Sequence, residues 1–183
     1  MKRNFPIPFT ILCISILIFS CVKDTDFEQA NDIVLTPVYE LDLIYFTVQA
    51  REFYDSITQS PRLTVIDTTQ IRFLDDSFVQ DDLKKAEFTF NFTNSVSSNF
   101  QVDFQFLNAS NDTTYSAQAD VFAGSVENPR LTSVVETVNE DDVQFLTQAD
   151  RVVVAVSLAE PIDSLVGALN LQSKTTYFLE IKD

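Results

Sequence analysis

Residue types that carry most enzyme and metal chemistry are scarce in this chain. There is no histidine and no tryptophan, and the 183 residues include only two glycines and two cysteines. Without histidine, nucleophilic catalysis of the serine–histidine kind is excluded, and a zinc site lacks its usual ligands. Gly124 and Gly167 stand alone, so the sequence has no glycine-rich phosphate loop. These absences predict a protein that is not an enzyme and has no cofactor and no metal.

Positive charge is also scarce. The chain has 12 basic and 27 acidic residues, a formal net charge of −15. Such a charge repels nucleic acids, so we expect no nucleic-acid partner. We interpret most of the acidity as a solvated surface.

Three short acidic clusters are the remaining candidates for chemistry. They are Asp75–Asp76, Asp81–Asp82 and Glu140–Asp142. Calcium needs about six to eight oxygens from separated positions, and no loop with EF-hand spacing is present. We interpret the clusters as solvated turns and helix caps. Calcium binding and carboxylate-dependent hydrolysis are the alternatives.

The first 20 residues have the pattern of an export signal. Lys2 and Arg3 form a basic opening, and residues 5–19 form a mostly apolar run. That run is shorter than the roughly 20 residues of a typical membrane-spanning helix. Pro6 and Pro8 disfavour a long uninterrupted helix, although a core helix or a membrane anchor is the alternative.

The end of this segment, Ile18-Phe19-Ser20-Cys21, resembles the lipobox of bacterial lipoproteins, with Phe19 bulkier than the usual residue. The resemblance implies cleavage between Ser20 and Cys21, diacylglycerol on the Cys21 thiol and acylation of the new amino terminus. Each buried CH₂ of an acyl chain adds about 0.8 kcal/mol, so several chains make a strong anchor. Because Cys13 leaves with the signal, the mature chain has no partner for a disulfide.

The residues after Cys21 indicate where in the cell envelope the protein is located. Lys23 is followed by closely spaced acids: Asp24, Asp26 and Glu28. This pattern is similar to the surface-export signal of Bacteroidota lipoproteins. The similarity implies an outer-membrane lipoprotein that faces outwards; the alternative is an acidic tether facing the periplasm. Residues 21–31 are polar and aperiodic, which predicts a flexible tether before a single domain at 32–183.

Four triplets resemble the O-glycosylation motif of exported Bacteroidota proteins, in which Asp precedes Ser or Thr and then a small aliphatic residue or Thr. Their acceptor residues are Ser56, Thr68, Thr113 and Ser164. Composition predicts about one match, so four is a modest excess. Glycans need exposed acceptors, and we expect all four triplets to lie in loops.

Alternating apolar and polar residues dominate the rest of the chain. The clearest apolar positions are Ala86, Phe88, Phe90 and Phe92, followed by Phe100, Val102, Phe104 and Phe106. Two such strands around the polar segment 94–99 predict an antiparallel hairpin with one aromatic face and one wet face. We interpret the aromatic stripe as part of the core, with a ligand groove as the alternative.

Other segments complete an all-β pattern. We predict strands at 40–48 (buried on both faces over its second half), 63–66, 70–74, 113–121, 131–138, 151–158, 170–172 and 175–182. Residues 139–148 predict a short helix with Asn139 as its N-cap. The pattern favours an antiparallel β-sandwich with immunoglobulin-like architecture; a jelly roll or a partly open barrel is the alternative. Residues 32–80 could form an N-terminal sheet extension.

Together these features favour a non-enzymatic binding, adhesion or scaffold role in the cell envelope. The expected partners are the membrane, through the lipid, and an unidentified protein or glycan ligand. The first alternative is a glycan- or peptide-binding accessory module of an outer-membrane uptake complex, and the second is a carboxylate-dependent hydrolase. Exposed aromatic rings often form glycan sites, and the tyrosine candidates are Tyr39, Tyr54 and Tyr177.

Overall fold

Strands make up most of the chain between residues 34 and 182. The computed structural model describes residues 34–161 and 166–182, apart from the side chain of Asp75. Residues 35–181 form one compact unit, and Val34 and Lys182 belong to a second one. The predicted signal peptide, lipidation site and tether lie outside the described residues.

The described residues contain twelve strands and two short α-helices. The strands are β1 (Val34–Leu35), β2 (Val38–Gln49), β3 (Tyr54–Asp55), β4 (Ser60–Pro61), β5 (Thr64–Gln70), β6 (Leu83–Asn94), β7 (Phe100–Leu107), β8 (Thr113–Val121), β9 (Arg130–Val138), β10 (Arg151–Ser157), β11 (Ala168–Leu179) and β12 (Ile181–Lys182). The helices are α1 (Ser77–Asp82) and α2 (Glu140–Leu146), and 3₁₀ turns cover Ala50–Phe53 and Phe73–Asp75. Neither α-helix is long and apolar enough to cross a membrane.

The eight long strands form two four-stranded sheets. Sheet A has the order β2-β11-β6-β9, and sheet B has the order β5-β10-β7-β8. All pairs within these sheets are antiparallel. The inner faces of both sheets contribute to one hydrophobic core. The all-β antiparallel sandwich predicted from the alternation is therefore confirmed.

The order of pairing identifies the topology. The pairs β7·β8, β6·β9, β5·β10 and β2·β11 are nested inside one another along the chain. Such nesting is what results when one long antiparallel ribbon is rolled into two sheets. It is the arrangement of a jelly roll, the alternative to the immunoglobulin-like order. The segment 32–80 supplies β2 to sheet A and β5 to sheet B.

The predicted hairpin between residues 85–93 and 100–106 is wrong. These strands are β6 and β7, and they belong to different sheets. Their aromatic residues meet across the core instead, with ring centroids 4.0 Å apart for Phe90 and Phe104 and 4.9 Å apart for Phe88 and Phe106. The interpretation of the Phe stripe as core is confirmed. The hairpin prediction fails because alternation identifies the apolar face of a strand but not the strand with which it pairs.

The chain passes from β6 to β7 around a buried amide. The side-chain nitrogen of Asn94 donates to the carbonyls of Ser98 and Phe122, both at 2.9 Å, and its oxygen accepts from the Val96 amide at 2.8 Å. In place of the predicted hairpin turn, residues 94–99 therefore carry the chain from sheet A to sheet B. Gly124 packs against the same segment. A side chain would not fit there, because a Cβ would lie 2.0 Å from the carbonyl oxygen of Asn94.

Three other local predictions can be compared with the structure. β2 is not buried on both faces over its second half, because its outer face is exposed to solvent: Tyr45 there is 55% exposed. The segments 170–172 and 175–182 are mostly one strand, β11. The helix prediction is confirmed as α2, with Asn139 in the N-cap position, although its side chain caps no backbone amide.

A polar contact links the two sheets at the side of the sandwich formed by β8 and β9. The Tyr115 hydroxyl on β8 donates to a Glu136 carboxylate oxygen on β9 at 2.5 Å, which joins the edge strands of the two sheets. Burial, and then the bond to Glu136, raise the pKa of Tyr115 above its usual value. Helix α2 is tied to the same region by the ion pair of Lys84 and Glu140, at 3.0 Å.

Candidate functional site

The outer face of sheet A carries two adjacent rows of uncharged side chains. Directly opposed residues on the four strands form the first row: Tyr45, Gln172, Asn91 and Ser133. The second row is Thr47, Asn170, Thr93 and Leu131. We call these eight residues the neutral patch. Since opposed residues on neighbouring strands point to the same side of a sheet, the patch is continuous across the sheet.

The patch is unusual for the surface of this chain. The chain as a whole has 27 acidic residues, and the next row of the same face contains Asp42 and Lys174. The neutral patch has amides, hydroxyls, one aromatic ring and one leucine, and no ionised group. A typical exposed surface interleaves charges of both signs, so eight neighbouring uncharged positions indicate a distinct chemical environment.

A β-bulge determines which side chains of β2 belong to the patch. The pairing of β2 with β11 shifts between Gln172 and Lys174. There the Ser173 hydroxyl accepts from the Ile44 amide at 3.0 Å and donates to the Ile44 carbonyl at 2.8 Å. The extra residue brings Asp42 and Tyr45, three positions apart, onto the same face.

Tyr45 is held at the edge of the patch. Its hydroxyl donates to a carboxylate oxygen of Asp42 at 2.7 Å, and this bond raises the pKa of Tyr45 above the usual value. The ring therefore remains neutral at physiological pH, and its side chain is well exposed to solvent. An exposed ring with an anchored hydroxyl suits a binding contact, because tyrosine buries a large area at low conformational cost.

The amides of the first row have free hydrogen-bonding capacity. The oxygen of Asn91 accepts from the Ser133 hydroxyl at 2.8 Å, while its nitrogen has no partner among the described residues. The side chain of Gln172 bonds to none of the described residues. Each free amide can donate two hydrogen bonds, and the Gln172 oxygen can also accept. The centre of the patch thus presents both donors and acceptors to solvent.

The amide nitrogen in the second row already has hydrogen-bond partners, unlike those of the first row. The side-chain nitrogen of Asn170 donates to the Thr47 hydroxyl at 2.9 Å and to the Phe46 carbonyl at 3.2 Å. Between the rows, at the β6–β9 side, lies a shallow groove of about 480 Å³ whose lining includes Asn91, Leu131 and Gln172.

Most residues singled out from the lipoprotein resemblance cannot be placed. Ser20, Cys21, Lys23, Asp24, Asp26, Glu28 and Ser164 lie outside the described residues. Among the other O-glycosylation candidates, Ser56 is exposed in a turn, as expected. In that turn Asp55 accepts from the amides of Ile57 and Thr58, and these bonds lower the pKa of its carboxyl.

The loop prediction is wrong for two of the triplets. Thr68 lies within β5, and Thr113 is the first residue of β8. Both side chains are nevertheless exposed. The reason is that β5 and β8 are the edge strands of sheet B, where polar residues face solvent without needing a turn. Neither residue lies in the neutral patch.

The tyrosine candidates separate clearly. Tyr177 is 2% exposed and stacks on Phe73 with centroids 4.7 Å apart, so it is a core residue and no glycan platform. Tyr39 and Tyr54 are partly exposed, at 40% and 39%, but lie outside the patch. The residue that sequence reasoning missed is Tyr45. The sequence predicts that strand 40–48 is buried on both faces over its second half, and the bulge that changes the alternation in this strand has no local sequence signal.

The acidic clusters lie at the helices. Asp76 is the N-cap of α1 and accepts from the Phe78 amide at 3.2 Å. Glu140, Asp141 and Asp142 occupy the first turn of α2, where the helix dipole favours negative charge. Within the described part of the chain, no three acidic residues are grouped so that they could hold a metal ion.

The strand order and the two opposed sheets define the chain as an all-β jelly-roll sandwich. No family model matches the sequence, and no curated protein gives a significant match. Similar solved structures include a candidate secreted protein from Parabacteroides distasonis, with 10% identity, a TM-score of 0.45 and coverage of 62% of this chain and 37% of that one. The structure of the infectious bursal disease virus Gt strain has 12% identity, a TM-score of 0.46 and coverage of 78% and 33%.

A third similar structure is the enzymatically active domain of tailspike protein 4 from bacteriophage CBA120. It has 10% identity and a TM-score of 0.38, with coverage of 78% of this chain and 19% of that one. This chain therefore spans less than half the length of each of the three proteins. At such low identity and structural similarity, the likeness carries nothing about activity, ligand or assembly.

Proposed function

We propose that this chain is a lipid-anchored protein of the outer membrane, exposed at the cell surface, whose sandwich binds a ligand without catalysing a reaction. The observation that carries the binding role is the neutral patch on sheet A. Support for the anchor comes from the likeness of residues 18–21 to a lipobox. Support for the surface location comes from the lysine and acids at positions 23–28.

Three properties distinguish the patch from an ordinary solvated sheet face. It is uncharged in a strongly acidic chain, it contains a groove, and it includes an exposed tyrosine. Charged residues are depleted and tyrosine is enriched at the centres of binding surfaces. Hydrogen-bonding groups that remain free, such as the Gln172 amide, supply the specificity that an apolar surface would lack.

The chemistry of the patch suits binding better than catalysis. Amides and alcohols exchange hydrogen bonds, but they do not transfer protons readily near neutral pH. The one titratable residue of the patch is Tyr45, whose pKa is raised by its bond to Asp42. A hydrolase would need two carboxyl groups facing each other across a cleft, about 5–10 Å apart. The patch itself contains no carboxylate.

Protease treatment of intact cells tests the proposed anchor and location. We expect the wild-type protein to fractionate with the outer membrane and to be digested by external protease. The Cys21→Ala variant should be released in soluble form, because it has no thiol to which the lipid can be attached. Cys13→Ala, which removes the other cysteine, is the matched control and should behave as wild type.

Two results would count against the proposal. A membrane-bound but protected wild-type protein would place it on the periplasmic face. A Cys21→Ala protein that stays in the membrane would show that residues 5–19 themselves are the anchor.

A further inference from the structure

We infer that the ligand of the neutral patch is an uncharged polysaccharide that lies across the strands of sheet A, along the row from Tyr45 to Ser133. This inference rests on the proposed binding function and names the chemical class of its ligand. It follows from the free hydrogen-bonding groups of the patch, its lack of charge and the orientation of its rows.

The free groups match the chemistry of sugars. Every sugar hydroxyl is both a donor and an acceptor, and therefore pairs well with an amide, which offers both functions in one plane. Asn91 has a free nitrogen, and the Gln172 side chain is free at both ends. The two residues are directly opposed on β6 and β11, so that two amides lie next to each other at the centre of the row.

The charge of this protein disfavours an anionic polysaccharide. The net charge of −15 repels acidic polysaccharides. The charged residues beside the patch are already engaged: Lys174 pairs with Glu40 at 2.7 Å, and Asp42 accepts from Tyr45. An anionic ligand would meet Asp42 beside the patch and would have to take Lys174 from Glu40, whereas a neutral sugar can lie on the patch without displacing either pair.

The backbone of the central strands disfavours a peptide ligand. Peptides often bind by adding a strand to a free sheet edge, where main-chain groups are unpaired. The middle of the patch lies on β11 and β6, and each of these strands has hydrogen-bonded neighbours on both sides. A ligand there meets side chains only, which favours a molecule dense in hydroxyls.

The dimensions of the row suit an extended chain. Neighbouring strands of a sheet lie about 4.8 Å apart, so a row across four strands extends over about 14 Å. Tyr45 lies at one end of the row, where its exposed ring can stack against the apolar face of a sugar. The groove at the other end, beside Ser133 and Leu131, extends the surface to the far edge of the sheet.

Affinity electrophoresis of the full-length protein in detergent tests the inference. The probes are three uncharged polysaccharides, namely dextran, starch and galactomannan, and two anionic ones, polygalacturonate and heparin. We expect at least one uncharged polysaccharide to retard the wild type. Asn91→Ala combined with Gln172→Ala should weaken this binding about tenfold, the equivalent of one or two lost hydrogen bonds. Tyr45→Ala should weaken it to a similar extent.

Sheet B provides the matched control. Gln105 and Ser116 are exposed, directly opposed residues on its outer face, of the same types as Gln172 and Ser133. Gln105→Ala combined with Ser116→Ala should leave binding within about twofold of wild type. Melting temperatures of all variants within a few degrees of wild type would show that they are folded, since exposed substitutions cost little stability.

The outcomes separate the ligand class from the proposed function. Binding of no uncharged polysaccharide, binding of anionic ones alone, or equal losses for the two double variants would each overturn the inference. If casein peptides were retained through Tyr45 and Gln172 while no sugar was, the binding face would stand and the ligand class would be wrong. Failure of the lipid anchor or surface location appears separately, in the protease experiment on Cys21→Ala.

Discussion

The outer faces of the two sheets have similar strand geometry but different chemistry. In each sheet a long central strand presents alternate residues to solvent: Gln172 and Asn170 from β11 in sheet A, and Val153 and Ala155 from β10 in sheet B. Next to Ala155, Ile66 on β5 is 65% exposed. At these positions of the central strands, sheet A thus presents amides and sheet B presents aliphatic side chains.

The faces also differ in the position of their charged residues and in their modification candidates. Sheet B carries Asp103 and Asp120 near its centre and edge, and its edge strands hold the glycosylation candidates Thr68 and Thr113. No described candidate lies in the neutral patch. The difference teaches that one fold can present two chemically different outer faces, because outward positions are not constrained by the core.

The largest expected loss of stability should be the same for core substitutions in either sheet. Phe90 on sheet A and Phe104 on sheet B stack on each other and are fully buried. We expect Phe90→Ala and Phe104→Ala each to lower the free energy of unfolding by about 3–5 kcal/mol, measured by urea denaturation. The double variant should lose less than the sum, because both changes remove the same contact. Strict additivity would mean that the rings do not share one core site.

A smaller effect should be specific to sheet A. Ser173→Ala removes both hydrogen bonds that satisfy Ile44 at the bulge, and leaves a buried amide and carbonyl without partners. We expect a loss of about 1–3 kcal/mol in urea denaturation. Ser116→Ala, an exposed serine on sheet B, should cost less than about 0.5 kcal/mol. Equal costs for the two serines would show that the bulge is not held by Ser173.

At high pH, the buried Tyr177 of sheet A should lower the free energy of unfolding. Burial raises the pKa of Tyr177 to about 12, against a usual value of about 10. The unfolded chain therefore releases this proton first. The associated stability is present below pH 10 and is lost as the pH rises towards 12, by about 1.4 kcal/mol at pH 11.

Urea midpoints at pH 9 and pH 11 measure this loss. Tyr177→Phe should reduce the fall between the two pH values, because phenylalanine has no proton to release. Tyr115→Phe on sheet B should also reduce it, since burial and Glu136 raise the pKa of Tyr115. A fall that is unchanged in both variants would contradict the assigned pKa shifts.

The smallest expected effect on stability belongs to the two outer faces. Gln172→Ala and Gln105→Ala should each change the free energy of unfolding by less than about 0.5 kcal/mol, because both side chains are exposed. Only Gln172→Ala should weaken polysaccharide binding. Thermal unfolding and affinity electrophoresis of the same samples measure the two quantities. If the two variants bind equally well, the chemical difference between the faces has no role in binding.

The sequence by itself determined which side of most strands is buried. Phe88, Phe92 and Val102 are all in the core, as their alternation predicted, and α2 lies where its capping pattern placed it. These properties are local: a period of two or of 3.6 residues can be recognised without knowing what the segment contacts. The absence of histidine likewise excluded serine–histidine chemistry from composition alone.

Only the tertiary structure decided which strands are neighbours and therefore which residues form the patch. Gln172 and Asn91 are 81 positions apart in the chain and become adjacent through the pairing of β11 with β6. Tyr45 joins them because Ser173, on β11, stabilises the bulge in β2, the strand that carries Tyr45. Strand pairing and register depend on contacts between remote segments, and no periodicity within one segment encodes them. A patch assembled across four strands therefore has no motif in the sequence.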